Sequence, residues 1–436
     1  MLGKITKTAL SATIMAGSLI SSTYAATDIT LWHAMSGRNG EMVKEIADRF
    51  NKSQGKYHLK AINKGGYEDT MTAGIAAFRA RQAPDIIQVF DAGSATIINA
   101  RGAVYPVQDL LEDNNVAFDS KDYIPGVRNF YADSQGKMIG LPFNSSTPLL
   151  YYNKSALKAA GIVQPPKTWE EFEAMAPRLK AAGFTALAQS HSPWIFTENF
   201  HSRHNLPMAT DNNGFDGTDV KILYNNDQLK MHWSKVKEWL DNKYYGYFGR
   251  AWGDNQDAFV QQKVAMWLGS SGSFGNLRKT ADFDFGTTYL PYWQSITSSP
   301  KSTFIGGGAL FSFSGHSKER YKGAAEFYKF LTKPEIQLLW HKETGYVPIT
   351  NAAYKLAKDT GYYKQKPDAE IGILQLSQET GDWSKGYRLG YYVQIRESLY
   401  KNYEQILSGD ASVDSAFNKI EKESNKLLAR FNKTYK

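Results

Sequence analysis

The chain contains no cysteine. A disulfide-stapled secreted scaffold is therefore excluded, and a chain of 436 residues does not need one, because it is long enough to be held by apolar burial alone. The same absence excludes a lipid-modified cysteine at an export cleavage site. Long apolar runs are also missing. The one candidate, Ala9 to Ile20, is shorter than the roughly 20 residues needed to cross a bilayer, and Ser and Thr interrupt it. Concentrated charge is missing too. Fifty-one Lys and Arg against 43 Asp and Glu leave a net charge of +8 spread along the chain. Nucleic-acid binding needs a clustered basic stripe, so it is not expected.

Catalytic signatures are likewise absent. There is no Gly-x-Ser-x-Gly elbow and no Gly-Lys-Ser/Thr phosphate loop. His201 and His204 stand three apart, without the Glu and the spacing of a zinc-protease helix. The run Asp211 to Asp219 suggests a calcium loop but lacks Gly at its sixth position and a closing Glu, so it reads as a surface turn. Paired carboxylates for sugar hydrolysis are defined by spatial separation, and nothing local calls for them. No metal and no cofactor is expected.

What is present begins with an export signal. Lys4 and Lys7 precede the apolar stretch, and the small residues Thr23 and Ala25 place cleavage after Ala25. With no cysteine to carry a lipid and no spanning helix, the expectation is a free protein of the periplasm. The 411 residues after Ala25 exceed what one core supports, which predicts two lobes. Aromatic residues make up 14% of the chain, enough for a core and for a cleft that grips polyols with ring faces and hydroxyls.

Periodicity predicts strands over Ile29–Trp32, Tyr57–Asn63, Asp85–Phe90 and Leu149–Tyr152. Helices are expected over Glu41–Phe50, through Ala73 to Phe78, and over Ser155–Ala160 and Thr168–Ala182. Strands alternating with helices argue for α/β layers and a largely parallel sheet. Thr303 to Ile305 reads as a strand ahead of Gly306-Gly307-Gly308, a cluster suited to a hinge or to a backbone surface for a ligand. Gly269-Ser270-Ser271-Gly272 joins a strand to a helix starting near Ser273, either as a tight turn or as a donor-rich cradle. Beyond Tyr346 the chain reads as mainly helical.

Several segments carry a resemblance. QAPDI (Gln82–Ile86), LYYNK (Leu150–Lys154), PKTW (Pro166–Trp169), GGAL (Gly307–Leu310) and GYVP (Gly345–Pro348) occur in the order found in extracellular solute-binding proteins of the maltose-binding type. KGGYE (Lys64–Glu68), AGIAAFR (Ala73–Arg79), NSSTP (Asn144–Pro148), NGFDGTD (Asn213–Asp219), Arg388-Leu389-Gly390 and Gln394-Ile395-Arg396 are similar to the glycerol-3-phosphate-binding group within that superfamily. The resemblance implies two α/β lobes closing on one ligand: residues 26–145 with about 302–348, and residues 146–301 with about 349–436. It implies a monomeric, non-catalytic carrier that serves the permease subunits and cytoplasmic ATPase of an importer. It places ligand contacts on Tyr67, Asp91, Ser146, Trp194, Ser270, Gly307, Tyr346 and Arg396. There Arg396 offers a fork of donors to phosphate, Asp91 accepts from glycerol hydroxyls and Trp194 covers the carbon skeleton.

Two positions depart from the group's pattern. Asp91 stands where Glu is usual, and His191 stands where a second Trp is usual. Both bear on the choice between glycerol-3-phosphate and larger glycerophosphodiesters such as glycerophosphocholine. A binder of neutral sugars on the same fold, and a secreted phosphodiesterase or glycosidase, are the alternative readings.

Overall fold

The computed structural model describes residues 25–100, 102–133, 135–251 and 253–435. The export signal lies outside them, apart from Ala25. Among the described residues no helix is long and apolar enough to cross a membrane.

Among the described residues eleven strands follow in chain order: β1 (Thr27–His33), β2 (Tyr57–Asn63), β3 (Ile86–Phe90), β4 (Val104–Tyr105), β5 (Leu141–Pro142), β6 (Pro148–Asn153), β7 (Thr185–Gln189), β8 (Tyr245–Gly246), β9 (Val264–Ser270), β10 (Phe285–Thr288) and β11 (Gly308–Phe313). They form two sheets. The first has the order β2-β1-β3-β11-β4, with β5 also pairing β11; the second has the order β10-β6-β9-β7-β8. β3 is buried at every residue, as its unbroken apolar run requires of a strand covered on both faces. The α-helix Gly37–Ser53 turns Met42, Val43, Ile46, Ala47 and Phe50 inward, the spacing of an amphipathic face. Each of the larger four, Met42, Val43, Ile46 and Phe50, once fully buried, contributes about 1.5–3 kcal/mol.

Helix starts follow their capping residues. Thr168 caps Trp169–Ala181 by accepting from the Glu171 N–H at 3.2 Å, and Asn153 caps Lys154–Ala159 through the Ala156 N–H at 3.0 Å. Two expectations need correction. The sheets are mixed rather than largely parallel: β11 runs antiparallel to β3, and β6 antiparallel to β9 and β10. Thr303 to Ile305 is not a strand. It crosses from the second sheet to the first, and regular pairing resumes only at Gly308.

That crossing does not run alone. Asn144–Thr147 carries the chain from β5 to β6, beside Ile305–Gly307 returning to β11. Ser146 and Gly306 exchange N–H···O bonds of 3.0 and 2.9 Å. Val347, just beyond the helix Pro334–Thr344, donates to the Ser145 carbonyl at 2.9 Å. Three extended segments thus lie side by side between the two sheets and form the floor of a cleft.

Candidate ligand-binding site

The carboxyl ends of strands from both sheets open onto this cleft, where ligands of open α/β sheets are bound. All eight residues singled out from the sequence line one cavity of about 410 Å³. Asp91 follows β3 directly and begins the helix Asp91–Ile98, where a negative charge faces the positive end of the helix dipole. Its N–H donates to the Gly307 carbonyl at 2.9 Å, tying the first sheet to the crossing. Ser270 ends β9, and its Oγ accepts from the Gly272 N–H at 3.1 Å, which leaves its own proton to donate. Ser146, Gly307 and Tyr346 come one from each crossing segment.

Gly307 is required where it sits. Its φ of +90° is strained for any side chain, and a Cβ there would lie 1.8 Å from the Asn144 carbonyl oxygen. Tyr67 stands at the start of the helix Tyr67–Arg79. It stacks on Phe90 at 5.2 Å and accepts from Asn144 Nδ2 at 2.6 Å. Asn144 Oδ1 in turn accepts from Gln88 at 2.8 Å, so the tyrosine hydroxyl is fixed from the core outward. Tyr346 stacks on Trp340 and hydrogen-bonds with Tyr67. Burial pushes both phenols above their usual range, so both stay protonated; their mutual bond uses one proton and leaves the other to donate.

Trp194 belongs to a π-helical turn, Pro193–Glu198, that follows β7. Its indole N–H donates to the Ile305 carbonyl at 3.4 Å, setting the ring on the cavity wall at 5% exposure. His191 lines the same wall, 6.4 Å from Trp194 between ring centres. Burial, and then the charge of Arg396, push the His191 pKa down to about 3, so its ring is neutral.

The charged centre is a triad that sequence reasoning saw only in part. Arg396, on the helix Tyr392–Ser408, donates Nε to Glu198 Oε1 and Nη2 to Glu198 Oε2, each at 2.7 Å. Nη2 also pairs with Asp91, bridging the two sheets' sides of the cleft. Tyr387 completes the cluster by donating to Glu198 Oε2 at 3.0 Å. The fork expected for phosphate is therefore largely engaged by carboxylates, and Nη1 alone makes no hydrogen bond among the described residues. Burial pulls the guanidinium pKa down, but Asp91 and Glu198 outweigh it and hold the charge firmly. Burial raises the Asp91 carboxyl pKa, and Glu198 adds to the rise against the pull of Arg396.

Glu198 was missed. The signal for it was a carboxylate flanked by the aromatic and aliphatic residues Trp194, Ile195, Phe196 and Phe200, a setting that demands a buried partner. His201 and His204, weighed as metal ligands, are core residues. Their Nδ1 atoms bond the Thr197 and Phe200 carbonyls at 2.6 and 2.7 Å, and His204 Nε2 accepts from the Trp293 N–H at 2.8 Å. Among the described residues no His, Cys, Asp and Glu group could hold a metal ion. Asp211 to Asn213 adopt left-handed backbone in a tight turn, and Asn213 is buried with its Oδ1 accepting from the Met208 N–H at 2.8 Å.

This arrangement, two sheets linked by three crossings with polar groups converging between them, finds its counterpart in known proteins. Residues 45–370 match the family described as bacterial extracellular solute-binding protein. The chain belongs to that family. The chain is 41% identical over 417 residues to the sn-glycerol-3-phosphate-binding periplasmic protein of Yersinia pseudotuberculosis, with 94% of each chain covered. It is 39% identical to the protein of the same name from Escherichia coli O1:K1, with 96% of each covered. Among solved structures, the Mycobacterium tuberculosis protein in complex with glycerophosphocholine superposes with a TM-score of 0.77 at 23% identity, covering 93% of this chain and 99% of that one. Maltose-bound MalE3 of Thermotoga maritima gives 0.76 at 17% identity, covering 92% and 100%. The architecture is thus that of the two-lobed solute-binding proteins.

Proposed function

We propose that this solute-binding protein works in the periplasm, capturing sn-glycerol-3-phosphate or a glycerophosphodiester between its lobes and handing it unchanged to an ATP-driven importer. The observation that carries the reading is the convergence of Tyr67, Asp91, Ser146, Trp194, Ser270, Gly307, Tyr346 and Arg396 on one cavity of about 410 Å³. Its support is the identity of about 40% to periplasmic binders of that name over nearly the whole chain. The lobes are residues 26–145 with about 302–348, and 146–301 with about 349–436. The working form is a monomer, released by cleavage after Ala25 and carrying no lipid.

The triad redistributes the roles within the site. Because Glu198 and Asp91 engage Arg396, the phosphate is held chiefly by neutral donors: the hydroxyls of Ser146 and Ser270, the one phenol proton that the Tyr67–Tyr346 bond leaves free, and the Gly307 N–H. A buried phosphate is tolerable only when its oxygens are satisfied in this way. Arg396 adds Nη1, Asp91 accepts from glycerol hydroxyls, and Trp194 covers the carbons. The relatives of about 40% identity are named as binding proteins, which supports a ligand bound and released unchanged.

One observation favours a second reading. One guanidinium against two carboxylates leaves the buried cluster with a surplus of negative charge, a setting that suits a neutral sugar. Calorimetric titration with sn-glycerol-3-phosphate, glycerophosphocholine and maltose separates the two. One-to-one binding of a glycerophosphate ligand is expected, and binding of maltose alone would transfer the assignment to sugars.

A further inference from the structure

The cleft does not end at Tyr67 and Tyr346. Beyond this pair lies a second chamber of about 420 Å³, and Gly66, Tyr67 and Tyr346 line both spaces. One wall is the loop that opens the helix Gly37–Ser53, and the other is formed by Gln256, Ser273 and Asn276 of the opposite lobe. Three features of this chamber stand unused by the fold. Ser273 is 3% exposed, and its Oγ has no hydrogen-bond partner. The buried Nε of Arg38 has none either, although its two Nη groups pair with Glu41 and Glu343. The helix Gly37–Ser53 starts without a side-chain cap from Ser36 and without an acid in its first turn, leaving its N-terminal N–H groups and positive dipole end uncompensated.

A buried hydroxyl without a partner is unfavourable, and a ligand oxygen recovers that cost. The chamber combines these donors with the amides of Gln256 and Asn276, groups that both give and accept hydrogen bonds. That set matches the hydroxyls of a polyol. It suits a quaternary ammonium less well: the Arg38 charge is already matched by Glu41 and Glu343, Asp257 is an acceptor that hydroxyls use equally, and among the described residues the aromatic faces are the two shared tyrosines, too few to cage a methylated cation.

We propose that this second chamber takes the far alcohol of a glycerophosphodiester whose second alcohol is itself a polyol, with the phosphate at the seam between Tyr67 and Tyr346. This rests on the glycerophosphate reading and extends it to the substituent. The test is calorimetry on the mature protein with sn-glycerol-3-phosphate, glycerophosphoglycerol, glycerophosphoinositol and glycerophosphocholine. Two variants accompany it: Ser273→Ala, and Asn276→Trp, which blocks the chamber from an exposed position and leaves the core alone. The polyol diesters are expected to bind about tenfold more tightly than glycerophosphocholine. Ser273→Ala should remove about fivefold of that advantage and Asn276→Trp nearly all of it, while the monoester changes less than about twofold. Equal affinity for choline and polyol diesters, or variants that weaken monoester and diester alike, would overturn the proposal. Failure of the wild-type protein to bind even sn-glycerol-3-phosphate would overturn the underlying reading instead, and that arm reports it separately.

Discussion

The carboxylate of Glu198 receives both Nε and Nη2 of Arg396, at 2.7 Å each, in a cluster where Glu198 is fully buried. Arg396 is thus a structural keystone as well as a candidate ligand contact. Removing one member of a buried ion pair leaves an uncompensated charge, which costs about 3–5 kcal/mol. Arg396→Ala is therefore expected to lose that much stability in urea unfolding and to lose ligand binding together. Glu198→Gln, which keeps the shape, should be milder. Unchanged stability of Arg396→Ala would mean that the triad does not exist in solution.

The raised carboxyl of Asp91 has a consequence for binding. A phosphate entering the cavity adds negative charge near a carboxylate already disfavoured by burial and by Glu198. Protonation of Asp91 on binding relieves it. Proton uptake should therefore accompany capture, and affinity should rise as pH is lowered from 8 towards 6. Titrations at pH 7 in two buffers of different ionisation enthalpy will show unequal heats, and Asp91→Asn should make them equal. Equal heats in the wild-type protein count against this coupling.

Much of this was legible in the sequence, and the exceptions share a cause. Tyr57–Asn63 reads as a strand from composition and turns alone, and Thr168 announces its helix, because these signals are local. The antiparallel insertion of β11 between β3 and β4 was not legible, since about 200 residues separate it from its partners and no local pattern encodes that register. The eight candidate site residues came from resemblance, not spacing, because they converge from three chain crossings and from separate elements of both sheets' sides. Glu198 escaped for the opposite reason: it binds a residue 198 positions away, so its partner could not be named.

Gly307 offers a test of the crossing itself. With φ at +90° and the Asn144 carbonyl oxygen 1.8 Å from any added Cβ, Gly307→Ala must displace the backbone that carries both Ser146 and the Tyr67 partner Asn144. A loss of about 2–4 kcal/mol and abolished ligand binding are expected. Gly217→Ala, where a Cβ meets nothing within 4 Å, is the control and should behave as wild type.

Acid should destabilise the protein through its buried imidazoles. Burial holds His33, His201 and His341 at about 4, and His204 at about 3, below the usual 6.5. Between those values the unfolded chain binds protons that the native state does not. Stability is therefore complete above pH 6.5 and falls as pH drops, by up to about 1.4 kcal/mol per pH unit for each histidine. The urea midpoint should fall clearly between pH 7 and pH 5. A midpoint that stays level, or rises, over that range contradicts the assignment of these rings as neutral core residues.

His191 decides how much room the cavity offers beside Trp194. Its ring lies on the wall beside Trp194, and it is smaller than an indole. The backbone at this position is left-handed, φ +56°, which His adopts more readily than an indole side chain does, so the urea midpoint of His191→Trp is measured beside its affinities. The larger ring should narrow the first cavity against a choline arm, which the second chamber favours less and which then lies beside Trp194, while leaving the phosphate donors Ser146, Ser270 and Tyr346 and the second chamber in place. Affinity for glycerophosphocholine is expected to fall about tenfold or more, and that for sn-glycerol-3-phosphate to hold within about threefold. A parallel loss of both ligands would show instead that the neutral imidazole contributes directly to holding the shared glycerophosphate core, and His191 would then join the eight residues as a contact rather than a determinant of size.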